Sequence, residues 1–521
     1  MKGDFTRNTF DALRHFRRVL LQQGRVALDS DWNEQTAILM HYLQALSADL
    51  IGPYSGPGNN CGFALTKADN DFAIGGGHYY VDGILCEIGS SELSIASIST
   101  DGKTITISSM TADHRQFSQN EWVEVIADDE TRFPTRIQKT DGELKSLTCD
   151  PSLPGNVHWL RLRRLITYKQ QLDYPDAALD DGMALVYADV WERHITSIQD
   201  DRIREVALGG PDTATRAKVV WQVKVIHQWS DGTKITNSKI FPLDKWNALV
   251  RTWNNQAACG LKVRLKPGQA SADPCITSYK SSYRGQENQL YRVEIHDGGK
   301  IDGKSVPTFK WSRDNGSIVF PIISQEGSIV TLQSLGFDSR TTLEVGNWVE
   351  ITDDTHEMQG KPGILAQVEE IVDPVEMKIR LKQPVDVQNI DWPSYDESST
   401  NHPLLRLWNQ VERKDIEFKH GSVQIKESNT DWLELENGIQ IQFQPGGHYR
   451  TGDYWLIPAR TNGTIEWPCE CDDKGELKSD APIAQSPHGI THHYAPLRII
   501  EVTNGDVTLH NDLRRKFSVI Q

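Results

Sequence analysis

Cys469-Glu470-Cys471, followed by His488, His492 and His493, comes nearest of any grouping to a metal centre. His488 and His492 stand four apart and would share a face on a helix, as zinc-ligating histidines do. Pro487 and Gly489 flank His488 and favour a loop instead, and a one-residue gap between cysteines is less typical of structural zinc than a two-residue gap. Histidines that hydrogen-bond beside a Pro-rich turn are the better reading, so no metal and no other cofactor is expected. Two carboxylate pairs, Asp128-Asp129 and Asp353-Asp354, invite glycoside chemistry, which needs two carboxyls facing each other across a sugar. Adjacent strand residues point to opposite faces, so neither pair can act alone. Each follows a predicted strand, where Asp normally caps a turn; a Ca²⁺ site completed by loop carbonyls is the other use of such oxygens. The run Glu192-Arg193-His194 with Asp200-Asp201-Arg202 and Arg204-Glu205 reads as salt bridges organising a long loop. The chain has no His-Glu-x-x-His, Gly-x-Ser-x-Gly or phosphate-loop motif. No catalytic residue is expected.

The elements around these residues are mostly β, with one prominent exception at the start. Gly24 permits a reversal, and Asp31 with Glu34 three residues later reads as a capping box opening a helix that runs to about Asp49. Trp32, Leu39, Tyr42, Leu43, Leu46 and Leu50 recur on a 3.6-residue period and form an apolar stripe that needs a partner or a symmetry mate. Gly52-Pro53 ends the helix. Beyond Gly56 the period becomes alternating. Asp101-Gly102 and Asp314-Asn315-Gly316 are hairpin signals. Gly182 to Glu192 reads as a strand apolar on both faces apart from Asp189, Asp212 as the start of a short helix, and Leu243 to Cys259 as an amphipathic helix ending at Gly260. Asn120-Glu121-Trp122-Val123-Glu124-Val125 is echoed by Gly346-Asn347-Trp348-Val349-Glu350-Ile351, and more loosely by Gly452-Asp453-Tyr454-Trp455. This predicts a repeated β unit whose aromatic covers the end of a small barrel or sandwich. A second echo joins Gly76-Gly77-His78-Tyr79 to Gly446-Gly447-His448-Tyr449. The expected fold class is α+β, mostly β: an N-terminal helical docking segment (1–55), then a β module (56–150), a mixed α/β module (151–265), a second β module (266–395) and a C-terminal β module (396–521).

Bulk properties narrow the function. A net charge of −16 over 521 residues argues against a nucleic-acid surface, which needs clustered Lys and Arg. No run of about eighteen apolar residues predicts a membrane span, and the first residues lack the apolar core of a signal peptide. Seven scattered cysteines suit reduced, structural thiols, so a cytosolic protein is expected.

Several stretches carry a resemblance. They are Lys2-Gly3-Asp4-Phe5-Thr6-Arg7, the Gln23-Gly24-Arg25 to Asp31-Trp32-Asn33-Glu34-Gln35 run, Val190-Trp191-Glu192-Arg193-His194, Glu287-Asn288-Gln289-Leu290-Tyr291-Arg292-Val293-Glu294, Phe309-Lys310-Trp311-Ser312-Arg313-Asp314-Asn315-Gly316 and Gly452-Asp453-Tyr454-Trp455. The chain resembles in them an uncharacterised bacterial family linked to contractile injection systems, the phage-tail-like particles, and the N-terminal run is similar to that of phage baseplate and tail proteins. The resemblance implies a non-enzymatic particle component assembled in the cytoplasm, at or near the baseplate. Its partners would be other particle subunits and copies of itself, as a trimer or hexamer. The alternatives are a receptor- or glycan-binding tail-fibre-type protein, or a hydrolase acting on envelope polymers.

Overall fold

The structure is a computed structural model that describes all residues except 59, 89–91, 109–116, 130, 142–145, 175–176, 211, 239, 255–258, 268–281, 300–305, 337, 339, 388–389, 472–476 and 519–521. The fold is α+β and mostly β. Helix α1 (Asp29–Ile51) precedes a series of small barrels and sheets, with α2 (Leu243–Asn254) and α3 (Asp354–Gln359) as the further α-helices among the described residues. The chain forms two compact units, each built from separated segments. The first takes Met1–Leu39, Arg193–Lys218 and Asn255–Ile490; the second takes Met40–Glu192, Val219–Asn254 and Thr491–Gln521.

Each unit contains one closed six-stranded antiparallel barrel. In the second unit its strands are β1 (Leu93–Ile98), β2 (Thr104–Ile107), β3 (Trp122–Ala127), β4 (Arg132–Thr140), β5 (Ser146–Asp150) and β6 (Trp159–Arg164). In the first unit they are β7 (Val319–Glu326), β8 (Ile329–Leu332), β9 (Trp348–Thr352), β10 (Ile364–Asp373), β11 (Lys378–Lys382) and β12 (Leu404–Trp408). Around the ring the order is β1-β2-β5-β4-β3-β6 in one and β7-β8-β11-β10-β9-β12 in the other, so the two barrels share one topology. The Trp-Val-Glu echo occupies the third strand of both. Even the register agrees, with Glu124 opposite Arg163 and Glu350 opposite Arg406. The repeat is therefore structural.

The period of two corrects the role assigned to its aromatic. Val123 and Val125 point into one barrel core, and Val349 and Ile351 into the other. Trp122 and Glu124, like Trp348 and Glu350, must then share the outer face. Trp122 packs there on Ala68, Ala73 and Leu165, and Trp348 on Leu365, Trp408 and Phe418. Neither caps a barrel end.

Other local readings divide in the same way. Gly182–Ile195 is one long strand paired with His493–Thr503, with Ala184 opposite Ile500. Ala184, Val186, Ala188 and Val190 pack on one side of it, while Leu185 and Tyr187 meet Trp246 and Leu249 of α2 on the other. Both faces are covered, hence its doubly apolar sequence. Helix α2 is described to Asn254, and the end expected near Cys259 adjoins residues outside the described set. The short helix expected after Asp212 does not form, because Asp212 makes a β-bridge to Arg204 and a strand starts at Arg216. Asp314-Asn315-Gly316 turns with positive φ at Asn315 and Gly316. It does not close a hairpin, since it leads from Thr308–Ser312, a strand of a six-stranded sheet, into barrel strand β7. The Gly-Gly-His-Tyr echo is sequence only: Gly77–Val81 is a strand, whereas Gly446 to Arg450 is irregular.

Candidate functional site

Helix α1 starts three residues earlier than its capping-box reading. Asp31 is the third helical residue, and its carboxylate accepts the Leu28 N–H at 3.1 Å, the reach-back half of a capping box. Glu34 accepts the Thr9 hydroxyl instead. The helix continues to Ile51, and Gly52 closes it with φ +85° and its N–H on the Ala48 carbonyl. At 3.6 residues per turn, Trp32, Leu39, Leu43, Leu46 and Leu50 fall within an arc of roughly 60°, with Tyr42 at its margin. All six are exposed, Trp32 at 76% and Leu50 at 70%. Ile38, turned about 110° from that arc, is 1% exposed. The buried side of α1 is thus not its apolar stripe. With exposed Thr36 included, the stripe alternates steps of four and three, the seam of a coiled coil. The flanking positions, Asn33, Met40, Ser47, Gln35, Tyr42 and Asp49, carry one charge among them.

A second site is buried in the first unit. Gln289–Asp297 and Thr308–Ser312 pair as neighbouring strands covered on both faces, so their polar residues are enclosed with the apolar ones. Lys310 Nζ lies 2.5 Å from Glu350 Oε1 and 3.4 Å from Glu294 Oε1. Arg292 Nε donates to Glu294 Oε2 at 2.6 Å, and Lys2 reaches the same carboxylate at 3.1 Å. Glu350 also accepts the Trp408 indole N–H and the Gly363 N–H. The second unit repeats the theme with fewer parts, Arg163 Nε donating to Glu124 at 2.8 Å. Burial raises the Glu350 carboxyl, but Lys310 and then Lys2 outweigh it and hold the group at about 2. Burial likewise pushes the Glu294 carboxyl up, but Lys2, Arg292 and Lys310 outweigh it and leave the group well below the carboxylate range. The sequence did not single out this cluster. Its signal is a set of charged residues spaced between core apolar ones, as in Arg292-Val293-Glu294, which also describes a strand with one wet face.

His296 lies in the same cluster, 4.0 Å from Glu350. Burial first, then Lys310, lowers its imidazole to about 4, against the opposite pull of Glu350 and Glu294. Between its ordinary value near 6.5 and about 4, the unfolded chain binds a proton that folded His296 refuses, so stability falls as pH drops through that window. Glu350 acts lower, losing its contribution between about 4.5 and 2. The expected cost from His296 is roughly 2–3 kcal/mol between pH 7 and 4. Urea unfolding at stepped pH should show a flatter slope over this range for His296→Gln; an unchanged slope would place the titration elsewhere.

Most of the residues weighed as candidates for chemistry are engaged within the chain. Asp128 is exposed, 3.6 Å from His158, and Asp129 accepts the Thr131 N–H in a turn. Asp353 caps α3 through the His356 N–H and accepts the Tyr395 hydroxyl and Asn401 amide, while Asp354 holds His402 and Arg193. Arg193 also reaches Glu357 at 3.0 Å, whereas Arg202 and Arg204 pair within the loop to Asp200 and Asp201. Cys469 and Cys471 lie on a two-stranded ribbon. His488 belongs to the first unit, beside the Tyr454 ring, while His492 and His493 belong to the second, on Asp189 and Asp82. Among the described residues no group of three or more His, Cys, Asp and Glu is arranged to hold a metal ion. The described cysteines are all free thiols, four of them buried, and Cys275 lies outside the described residues. No helix among the described residues is long and apolar enough to cross a membrane.

Neither the curated proteins nor the solved structures contain a match to this chain. Residues 1–121, 178–239 and 227–507 match the model of a family of unknown function, DUF6519, and the chain belongs to that family.

Proposed function

We propose that this chain is a non-enzymatic structural subunit of a contractile injection particle, at the baseplate or its periphery, docked through α1 and arranged as a closed trimer or hexamer. The observation that carries the docking is the exposed seam of Trp32, Leu39, Leu43, Leu46 and Leu50 on a helix whose other side is turned to its own chain. An apolar stripe of this kind left in water is unfavourable, at roughly 1.5–3 kcal/mol for each large side chain that a partner would cover. The resemblance of the N-terminal run to baseplate and tail proteins supports the choice of assembly. The placement of Asp353, Asp354, His492 and His493 in internal hydrogen bonds supports a role without bond-making.

Leu39→Asp/Leu43→Asp/Leu46→Asp tests the reading, since all three side chains are exposed and the chain should fold unchanged. Assembly affinity should fall at least a hundredfold, and particles purified from cells making the variant should lack the protein by mass spectrometry. Normal incorporation would reject docking through α1. Point changes are preferable to removing the N-terminal residues, because Lys2 and Arg7 pair with Glu294 and Glu466 of the first unit.

A further inference from the structure

Residues 7–28 form a long loop ahead of α1. Its base is closed where the Thr6 N–H donates to Asp29 Oδ2 at 2.9 Å and the Thr6 hydroxyl donates to Oδ1 of the same carboxylate. Two clips hold its first half along the helix: the Thr9 hydroxyl on Glu34, and the Val19 N–H on Gln35 Oε1 at 2.8 Å. Apart from a single 3₁₀ turn at Ala12–Arg14 the loop has no regular structure. Loops of this length in compact proteins are uncommon, and those that keep a fixed path usually bind something.

Its side chains point to a protein partner. Leu13, Leu20, Leu21 and Val26 are each more than two-thirds exposed, a density of bare apolar groups unusual for one loop. Arg14, Arg17, Arg18 and Arg25 are exposed as well, and none has a carboxylate partner among the described residues. Residues 7–28 hold five arginines and one aspartate, a net +4, in a chain of net −16. The rest of the chain therefore carries −20, from −16 minus +4. That body repels phosphate-bearing surfaces, nucleic acid and anionic lipid alike, and offers the loop of a neighbouring molecule an acidic field to settle on.

We infer that residues 7–28 are a strap that lies on the acidic surface of a second copy of this chain, apolar side chains against its surface and arginines on its carboxylates. The inference rests on the assembly reading above for its choice of partner, and it assigns that partner a contact separate from the α1 seam.

The test uses the full chain. Arg14→Glu/Arg17→Glu/Arg18→Glu/Arg25→Glu should raise the dissociation constant for self-association at least tenfold in sedimentation, with thermal unfolding unchanged because every altered group is exposed. Self-association of the parent should weaken as salt rises from ~0.05 to ~0.5 M, and the variant should lose most of that dependence. A photo-crosslinker at position 17, with light and heavy isotope copies mixed, should join the loop to Asp- and Glu-bearing peptides of the other copy. The inference is overturned by a parent chain that stays monomeric at about 100 μM, by crosslinks confined to one copy, or by binding to phosphatidylserine vesicles that the substitutions abolish. If Leu39→Asp/Leu43→Asp/Leu46→Asp dissociates the assembly while the strap variant assembles like the parent, the strap falls and the α1 docking stands. If only the strap variant dissociates it, the docking claim falls instead.

Discussion

Lys310→Met is expected to destabilise the first unit by about 3–5 kcal/mol, the cost of breaking a buried ion pair from one side. Lys310 is 2% exposed and lies between Glu350 and Glu294, themselves 3% and 2% exposed. Methionine fills nearly the same volume, so the loss is electrostatic rather than a cavity. Glu350 would keep the Trp408 and Gly363 donors, which are neutral dipoles. Glu294 would keep Arg292 and Lys2. The charge that loses its direct ion pair is therefore Glu350, on which Lys2 then acts only from a distance, and Lys310→Met combined with Glu350→Gln should recover most of the loss. Equilibrium urea unfolding of the two single variants and the double gives the coupling directly. A single-variant cost under 1 kcal/mol would mean that water reaches the cluster and screens it. Arg163→Met in the second unit should behave in the same direction, because Arg163 is the charge-assisted donor to the equally enclosed Glu124.

What could be read along the chain was local. The alternation of Val123 and Val125 with Trp122 and Glu124, and its copy at Trp348 to Ile351, was enough to expect a repeated β unit. Ring closure was not legible, because it depends on pairing β6 with β1 and β12 with β7 across the whole barrel. The same limit explains the role of the aromatic. Which face of a strand is inside is decided by what covers it, and both faces of β3 and β9 are covered. Charges such as Arg292, Glu294 and Lys310 look like a solvated face until the second layer is known. The units were hidden for a related reason: Gly182–Ile195 pairs with His493–Thr503, and sequence proximity carries no information about such a partner. At α1 the stripe was legible from period alone, while the cap was displaced because Asp29 and Asp31 both suit a helix start. In the structure Asp29 accepts from Thr6, and Asp31 reaches back to the Leu28 N–H. Asp129 sits at a turn as expected, accepting the N–H two residues on, whereas Asp353 caps helix α3 through the N–H three residues on and Asp354 opens that helix. Their distant partners, Tyr395, Asn401 and His402, left no local mark.

Gly83→Ala is the second large effect, and it bears on how α1 is held. Asp82 and Gly83 join Gly77–Val81 to Ile84–Ile88 as a two-residue turn with positive φ at both positions, +47° and +78°. A Cβ on Gly83 would lie 2.1 Å from the Gln44 carbonyl oxygen and 2.8 Å from its Cα, both backbone atoms of α1. Neither can move without shifting the helix. A left-handed alanine costs about 1–2 kcal/mol, and forcing apart packed backbone adds about 1–3 kcal/mol, so a loss of roughly 2–5 kcal/mol is expected. Gly327→Ala provides the comparison: its φ is +59° and nothing lies within 4 Å of the added carbon, so only the conformational part applies. Hydrogen exchange should show faster amides over residues 40–51 in Gly83→Ala and not in Gly327→Ala. Equal costs for the two substitutions would mean that the turn does not bear on the helix. If it does bear, Gly83→Ala should weaken assembly without altering any side chain of the exposed seam. In the proposed docking the seam keeps its place only while the opposite side of α1 is pinned, and Asp82-Gly83 packs on Gln44 on that side.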